Sequence, residues 1–183
     1  MIKMTAQSPE VYTTDEPIVN LGREEIEFLT QRVRESSRKR TRLCAHKSGE
    51  DKLHEMFVVY LNETYIRPNK HLGKDESLHI LEGKADFVFM DEQGKIIDVV
   101  PLGDKATGRQ FYCRIPESVY HTFLMRSPRI IIHETIEGPF RRESTVFSPW
   151  SPEEGKTEEI AKFMGGLEKS AAEFLAGRGA RAS

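Results

Sequence analysis

The sequence predicts an all-β core, a sandwich or barrel of short strands, with one helix before it and another after it. Three observations carry that reading. Between Thr41 and about Ile136, strand-like runs alternate with Gly, Pro, Asp and Ser turn signals. Ahead of them, Gly22 to Arg40 places apolar residues at helical spacing, and beyond Trp150 a second helical stripe begins. Many short strands with frequent turns suit a double-sheet or closed β architecture, of which the jelly roll is one solution.

Taken in order, residues 1–21 are polar, hold Pro9 and Pro17, and read as an extended arm able to pair with a sheet edge or a partner subunit. In the 22–40 helix, Ile26, Leu29 and Val33 share a face. Glu24, Glu25 and Glu27 lie near its N-terminus, where the macrodipole favours negative charge. The basic cluster Arg38, Lys39, Arg40 and Arg42 at its other end reads first as helix-end electrostatics, with an anion site as the alternative.

Candidate strands follow at 41–46, 55–61, 64–70, 77–82, 85–90, 95–101, 110–115, 120–126 and 130–136. The runs FVVYL at 57–61 and IIIH at 130–133 are apolar at both parities and predict burial on both faces. After Trp150, Ser151-Pro152-Glu153-Glu154 reads as a capped helix start with Pro at the first helical position. Ile160, Phe163, Met164, Leu167, Ala171, Phe174 and Leu175 form its apolar stripe, to be packed outside the barrel or on a dimer mate. Gly165-Gly166 should weaken or bend this helix, and the final GRGARAS is expected to be disordered.

At 183 residues the chain suits a single domain. Its net charge of −2 and pI near 6.3 point away from nucleic acid and anionic membranes. No apolar run reaches spanning length, and MIKMTAQSPE has no hydrophobic segment of the kind a secretory signal needs. Cys44 and Cys113 lack CxxC spacing and read as buried thiols in a reducing cytoplasm.

The densest chemistry lies in YIRPNKHLGKDESLHILEG, Tyr65 to Gly83. Arg67, Asn69 and His71 alternate, so a strand would point all three to one face. The turn Leu72-Gly73-Lys74-Asp75 then reverses the chain to Glu76, and Gly83 closes the run. A hairpin of this kind gathers an imidazole, a carboxylate and an amide oxygen, part of a metal site. Arg67 beside such a site would attract an anionic ligand, or it pairs with a nearby carboxylate.

The stretch resembles the first motif of the cupin superfamily (His-x-His, four residues, Glu, six residues, Gly), with Asn69 in place of the first His and with His71, Glu76 and Gly83 at the expected spacings. Pro116-Glu-Ser-Val-Tyr-His121 resembles the second motif, with Ser118 where glycine is usual. Together with RLCAHKSGED, FYCRIPESVYHT and HETIEGPF, the likeness runs from about Glu24 to Trp150 and is closest to the WbuC family of cupin-fold metalloproteins. The resemblance implies a double-stranded β-helix over residues 22–150, including the leading helix, with a C-terminal helix and tail over 151–183.

It also implies metal ligation by His71, Glu76 and His121, with Asn69 either coordinating directly or holding a metal-bound water. Two histidines and one carboxylate favour Fe2+, with Mn2+, Ni2+, Co2+ or Zn2+ as alternatives. His46 and His133 match positions of the WbuC pattern, and His46 is a candidate for the substrate pocket. His79 falls on the face opposite Glu76, and His54 reads as a loop residue. Tyr112 and Arg114 alternate before Pro116 and are expected to face the same cavity, and Phe123 and Met125 share the parity of His121. The expectation is a homodimeric, metal-dependent enzyme of dioxygenase or isomerase type acting on a small polar or anionic substrate, and the family association implies surface-polysaccharide metabolism as its setting. A metal-independent sugar epimerase and a non-catalytic carbohydrate-binding module are the alternatives.

Overall fold

A computed structural model describes residues 1–179. Two sheets pack face to face. The larger has seven strands in the order β1 (Thr5–Ser8), β2 (Val11–Thr13), β3 (Arg40–Cys44), β4 (Leu53–Leu61), β11 (Arg129–Glu137), β6 (Glu76–Glu82) and β9 (Tyr112–Ile115). The smaller has five, in the order β12 (Thr145–Phe147), β5 (Asn69–His71), β10 (Tyr120–Met125), β7 (Lys84–Met90) and β8 (Ile96–Gly103). All pairings are antiparallel except β2 with β3. Met56, Val58, Ile80 and Ile132 of the larger sheet share one core with Phe87, Phe89, Leu102 and Phe123 of the smaller. This is a two-sheet jelly-roll core with helical additions, as the sequence predicts.

The outer faces explain the doubly apolar runs. Helix α1 (Arg23–Glu35) lays Leu29 and Val33 on Leu43, Val59 and Ile131, on the back of the larger sheet. Glu25 fixes its start by accepting the Gly22 amide at 2.8 Å and the Ile2 amide at 2.9 Å. Helix α2 (Thr157–Gly179) covers the smaller sheet, with Leu167 and Ala171 buried against Val88, Met90, Val99, Tyr120 and Leu124. Fully burying a large apolar side chain contributes roughly 1.5–3 kcal/mol, so each helix is held chiefly by its packed face.

Several elements differ from the sequence reading. The 22–40 helix stops at Glu35, so Arg40 and Arg42 belong to β3. Of the 64–70 run only Asn69–His71 joins a ladder, because Pro68 has no N–H to donate. The arm forms the β1–β2 hairpin, and the Thr145–Phe147 strand is additional. Pro152 does not open α2: Gly155, at φ +88°, intervenes, and the helix begins at Thr157. It then passes through Gly165-Gly166, whose Cβ positions face open space, and it includes Gly177–Gly179 of the expected disordered tail. The rest of that tail lies outside the described residues. Among the described residues no helix is long and apolar enough to cross a membrane. Cys44 is buried, Cys113 is half-buried, and both are free thiols.

Candidate metal centre

The two motif turns set the site. Gly83, at φ +87°, reverses β6 into β7, and any Cβ there would run into the Arg129 carbonyl and lie 2.6 Å from Ser127 Oγ. Ser118, in the position where the motif has glycine, takes a left-handed φ of +64°. A side chain there costs on the order of 1–2 kcal/mol, which gives the glycine preference a physical reason. The Ser118 amide donates to the His71 carbonyl at 2.8 Å, tying the second motif's turn to the first motif's strand.

Those constraints bring His71 of β5, Glu76 of β6 and His121 of β10 together, with one ligand atom from each within 4.8 Å of the others. Glu76 Oε2 lies 3.4 Å from His71 Nε2 and 3.3 Å from His121 Nε2. Oε2 is buried and has no well-directed hydrogen-bond donor. His121 Nδ1 faces the Val119 carbonyl at 3.0 Å, and His71 Nδ1 meets Thr145 Oγ1 at 3.2 Å. A carbonyl only accepts, so His121 carries its proton on Nδ1 when neutral and presents a lone pair at Nε2. Two imidazoles and a buried carboxylate of this kind fit a divalent metal ion.

Electrostatics agree. Burial pushes the Glu76 carboxyl up, but the close approach of the His121 and His71 imidazoles, 3.3 and 3.4 Å from Oε2, outweighs it and holds the group at about 2. Burial pulls His121 down, while Glu76 raises it by more, leaving it above the ordinary value. A carboxylate that stays ionised at 6% exposure needs the compensating positive charge this group supplies.

Asn69 stands directly opposite His121 in the β5–β10 ladder, so the two side chains share the inner face. Its Nδ2 donates to the Arg67 carbonyl at 3.1 Å. Arg67 lines the cavity, donates to the Ser148 carbonyl at 3.0 Å and approaches Glu153 at 3.8 Å. His46 and Phe123 also line the cavity, whose volume is about 590 Å³.

Tyr112 and Arg114 do not face this cavity. Tyr112 is 51% exposed and Arg114 is ion-paired to Asp75 outside it, because Cys113 and Ile115 hold the inward parity of β9. His54 is a buried residue of β4 that lines the cavity, not a loop residue. His79 points outward beside Phe111, and His133 stacks on Phe57 at 4.6 Å.

The sequence reading missed Glu134. It interrupts the inward apolar set Ile130, Ile132 and Ile136 of β11, and that period-two interruption was its available signal. Burial, then the charge of Glu76, push its carboxyl up to about 8, partly opposed by Arg42 and His121. Tyr60 lines the same wall.

Fold and site together define a jelly-roll β-barrel with a candidate metal centre inside it. A family model described as a domain of unknown function (DUF6016) matches residues 21–102. No curated protein matches. Among solved structures, the chain is similar to the DMSP lyase DddQ from Ruegeria pomeroyi at 17% identity and a TM-score of 0.48, over 62% of this chain and 54% of that one. A protein from Shewanella oneidensis matches at 12% identity and a TM-score of 0.47, over 56% of this chain and 66% of the other. A protein from Planctomyces limnophilus matches at 16% identity and a TM-score of 0.43, covering 59% and 81% respectively. The chain thus spans just under two thirds of the Shewanella protein and about half of DddQ.

Proposed function

We propose that the protein is a metal-dependent enzyme of the WbuC type that binds a small anionic substrate in the barrel cavity. The observation that carries this reading is the convergence of His71, Glu76 and His121 on one point of a concave, mixed-polarity cavity. A cavity of about 590 Å³ suits a small molecule, since ligand pockets run from about 300 to 1,000 Å³. Bound there, a divalent ion would supply Lewis-acid or oxygen chemistry to an oxygen of the substrate, with Fe2+ the favoured ion and Mn2+, Ni2+, Co2+ or Zn2+ the alternatives.

The chain's own groups divide the remaining work. Val119 and Thr145 orient the two imidazoles, and Glu76 provides the fixed negative charge. Asn69 leaves its amide oxygen for a water or for substrate, as its nitrogen is engaged by Arg67. Burial favours the protonated form of Glu134, which can donate to an oxygen bound nearby. Phe123, Met56 and Val58 exclude water from the inner end.

The test is turnover. Protein prepared without a histidine tag, loaded anaerobically with Fe2+, is screened against oxo-acids, hydroxy-acids and sugar phosphates by oxygen uptake and proton NMR. Activity that needs metal and disappears in His71→Ala supports the reading. Turnover of a sugar nucleotide by chelator-stripped protein would replace it with the metal-independent epimerase.

A further inference from the structure

We propose that Arg42 and His54, with His46 stacked behind His54, form an oxyanion subsite on the cavity wall that takes the carboxylate or phosphate end of the substrate. The assignment deepens the enzyme reading above, and it relies on that reading only for what meets the other end of the molecule.

Arg42 is the first support. Five arginines line the cavity: Arg38, Arg40, Arg42, Arg67 and Arg141. Arg38 and Arg40 are tied to Glu10 and Glu154, Arg67 approaches Glu153, and Arg141 pairs with Glu50. Among the described residues Arg42 alone of these five has no carboxylate partner. It lies on the inward parity of β3 with Cys44, and its side chain reaches solvent at the cavity mouth. It lines the same cavity as His46, His54, Tyr60 and Glu134. An unpaired planar fork in a concave wall is suited to a carboxylate or phosphate, which it can bind through two parallel hydrogen bonds.

His54 is independent of that. It is 5% exposed, yet its Nε2 is buried without any hydrogen-bond partner. Leaving such a group unpaired is costly, so the position calls for a ligand atom. The ring is also fixed in place. It stacks on His46, with centroids 4.0 Å apart and planes 9° apart, and a Cβ on Gly138 would lie 2.9 Å from its Cδ2. His46 is held in turn by the Glu55 carbonyl, 3.2 Å from its Nδ1. In the tautomer protonated at Nε2, neutral His54 donates a hydrogen bond that an oxyanion would accept.

The ladder fixes the spacing. Glu76 opposes Ile136, and Ile136 opposes His54. Two strand spacings separate the metal-centre carboxylate from His54, a span of roughly 10 Å between backbones. A short chain of about three to six carbons, anionic at one end and bearing a hydroxyl or carbonyl oxygen at the other, bridges side chains reaching inward from those positions. That defines the substrate class as short oxygenated acids or phosphates.

Isothermal titration with succinate and with glycerol 3-phosphate, each against zinc-loaded and chelator-stripped full-length protein, tests the subsite and tells carboxylate from phosphate. Butane-1,4-diol is the neutral control. Wild type should bind one of the two anions and not the diol, and Arg42→Met should weaken that anion by at least about tenfold, the order expected for one charged hydrogen bond. The His54 ring ¹⁵N resonances should shift on adding the same anion to wild type, a readout that does not depend on a His54 variant folding. Binding unchanged in Arg42→Met, binding of neither anion, or unmoved His54 resonances would overturn the proposal. Metal content measured on the same samples keeps the two readings apart. A wild type that binds the anion but holds no metal contradicts the metal-dependent enzyme and leaves the subsite standing.

Discussion

Changing Glu76 to Gln removes the one negative charge between two imidazoles, and its effect can be worked out from the geometry. In metal-free protein the Glu76 carboxyl sits at about 2 against an ordinary 4.5, because His121 and His71 outweigh the burial that would raise it. That fall corresponds to about 3 kcal/mol of folding stability. For this depressed carboxyl, the contribution is present above pH 4.5 and is lost as pH falls toward 2. His121 is held above its ordinary 6.5, so the same contact's contribution is present below pH 6.5 and is lost as pH rises through the folded value. The metal-free wild type should therefore be most stable between about pH 4.5 and 6.5, counting these two groups. Urea unfolding of chelator-stripped protein at pH 3, 5.5 and 9 measures it. Glu76→Gln should lose about 3 kcal/mol at pH 5.5 and much of the decline on both sides. Because a neutral amide oxygen is a weaker ligand, the variant should also bind zinc at least about 100-fold less tightly, beyond the effect of outer contacts. Equal stability at pH 5.5 together with equal zinc affinity would refute the geometry of the centre.

Asn69→His should raise zinc affinity by at least about tenfold in a competing-chelator titration, since position 69 opposes His121 on the inner face; equal affinities would place residue 69 off the metal. Glu134 is raised to about 8, so its stabilising contribution is present below pH 4.5 and is lost as pH rises through 8. Glu134→Gln should therefore flatten the fall in stability between pH 5 and 9, and an unchanged slope in a denaturant series would contradict it. Truncation after Trp150 would uncover Val88, Val99, Tyr120 and Leu124, which α2 covers. Light scattering should then show aggregation or a changed mass, whereas a stable species of unchanged assembly state would argue against a docked helix.

Much of the fold was legible because period-two alternation and turn residues carry it. Leu78 and Ile80, or Val58 and Tyr60, announce their inner face without help from tertiary context. Glu76 and His71 were legible through motif spacing, although the expected hairpin does not form: the turn between them joins β5 of the smaller sheet to β6 of the larger, and the two side chains meet across the barrel interior. Strand β9 was misread for a physical reason. Its parity is set by burial of Cys113 and Ile115, while Tyr112 and Arg114, residues that look functional, fall on the outside. Helix α2 ignored its glycine pair because packing of Leu167 and Ala171 outweighs a local propensity cost of about 1 kcal/mol per glycine. Arg42 and His54 were undervalued since their meaning lies in partners they lack. Only the assembled cavity shows that Glu10 and Glu154 are taken by Arg38 and Arg40.

The central claim is that His71, Glu76 and His121 hold a metal ion inside the barrel. Metal analysis of untagged wild type, His71→Ala and His121→Ala, each checked for folding by circular dichroism, tests it directly. The account predicts close to one divalent ion per wild-type chain and little in either folded variant. Stoichiometric metal in both variants, or a wild type that takes up no divalent ion on reconstitution, would contradict it.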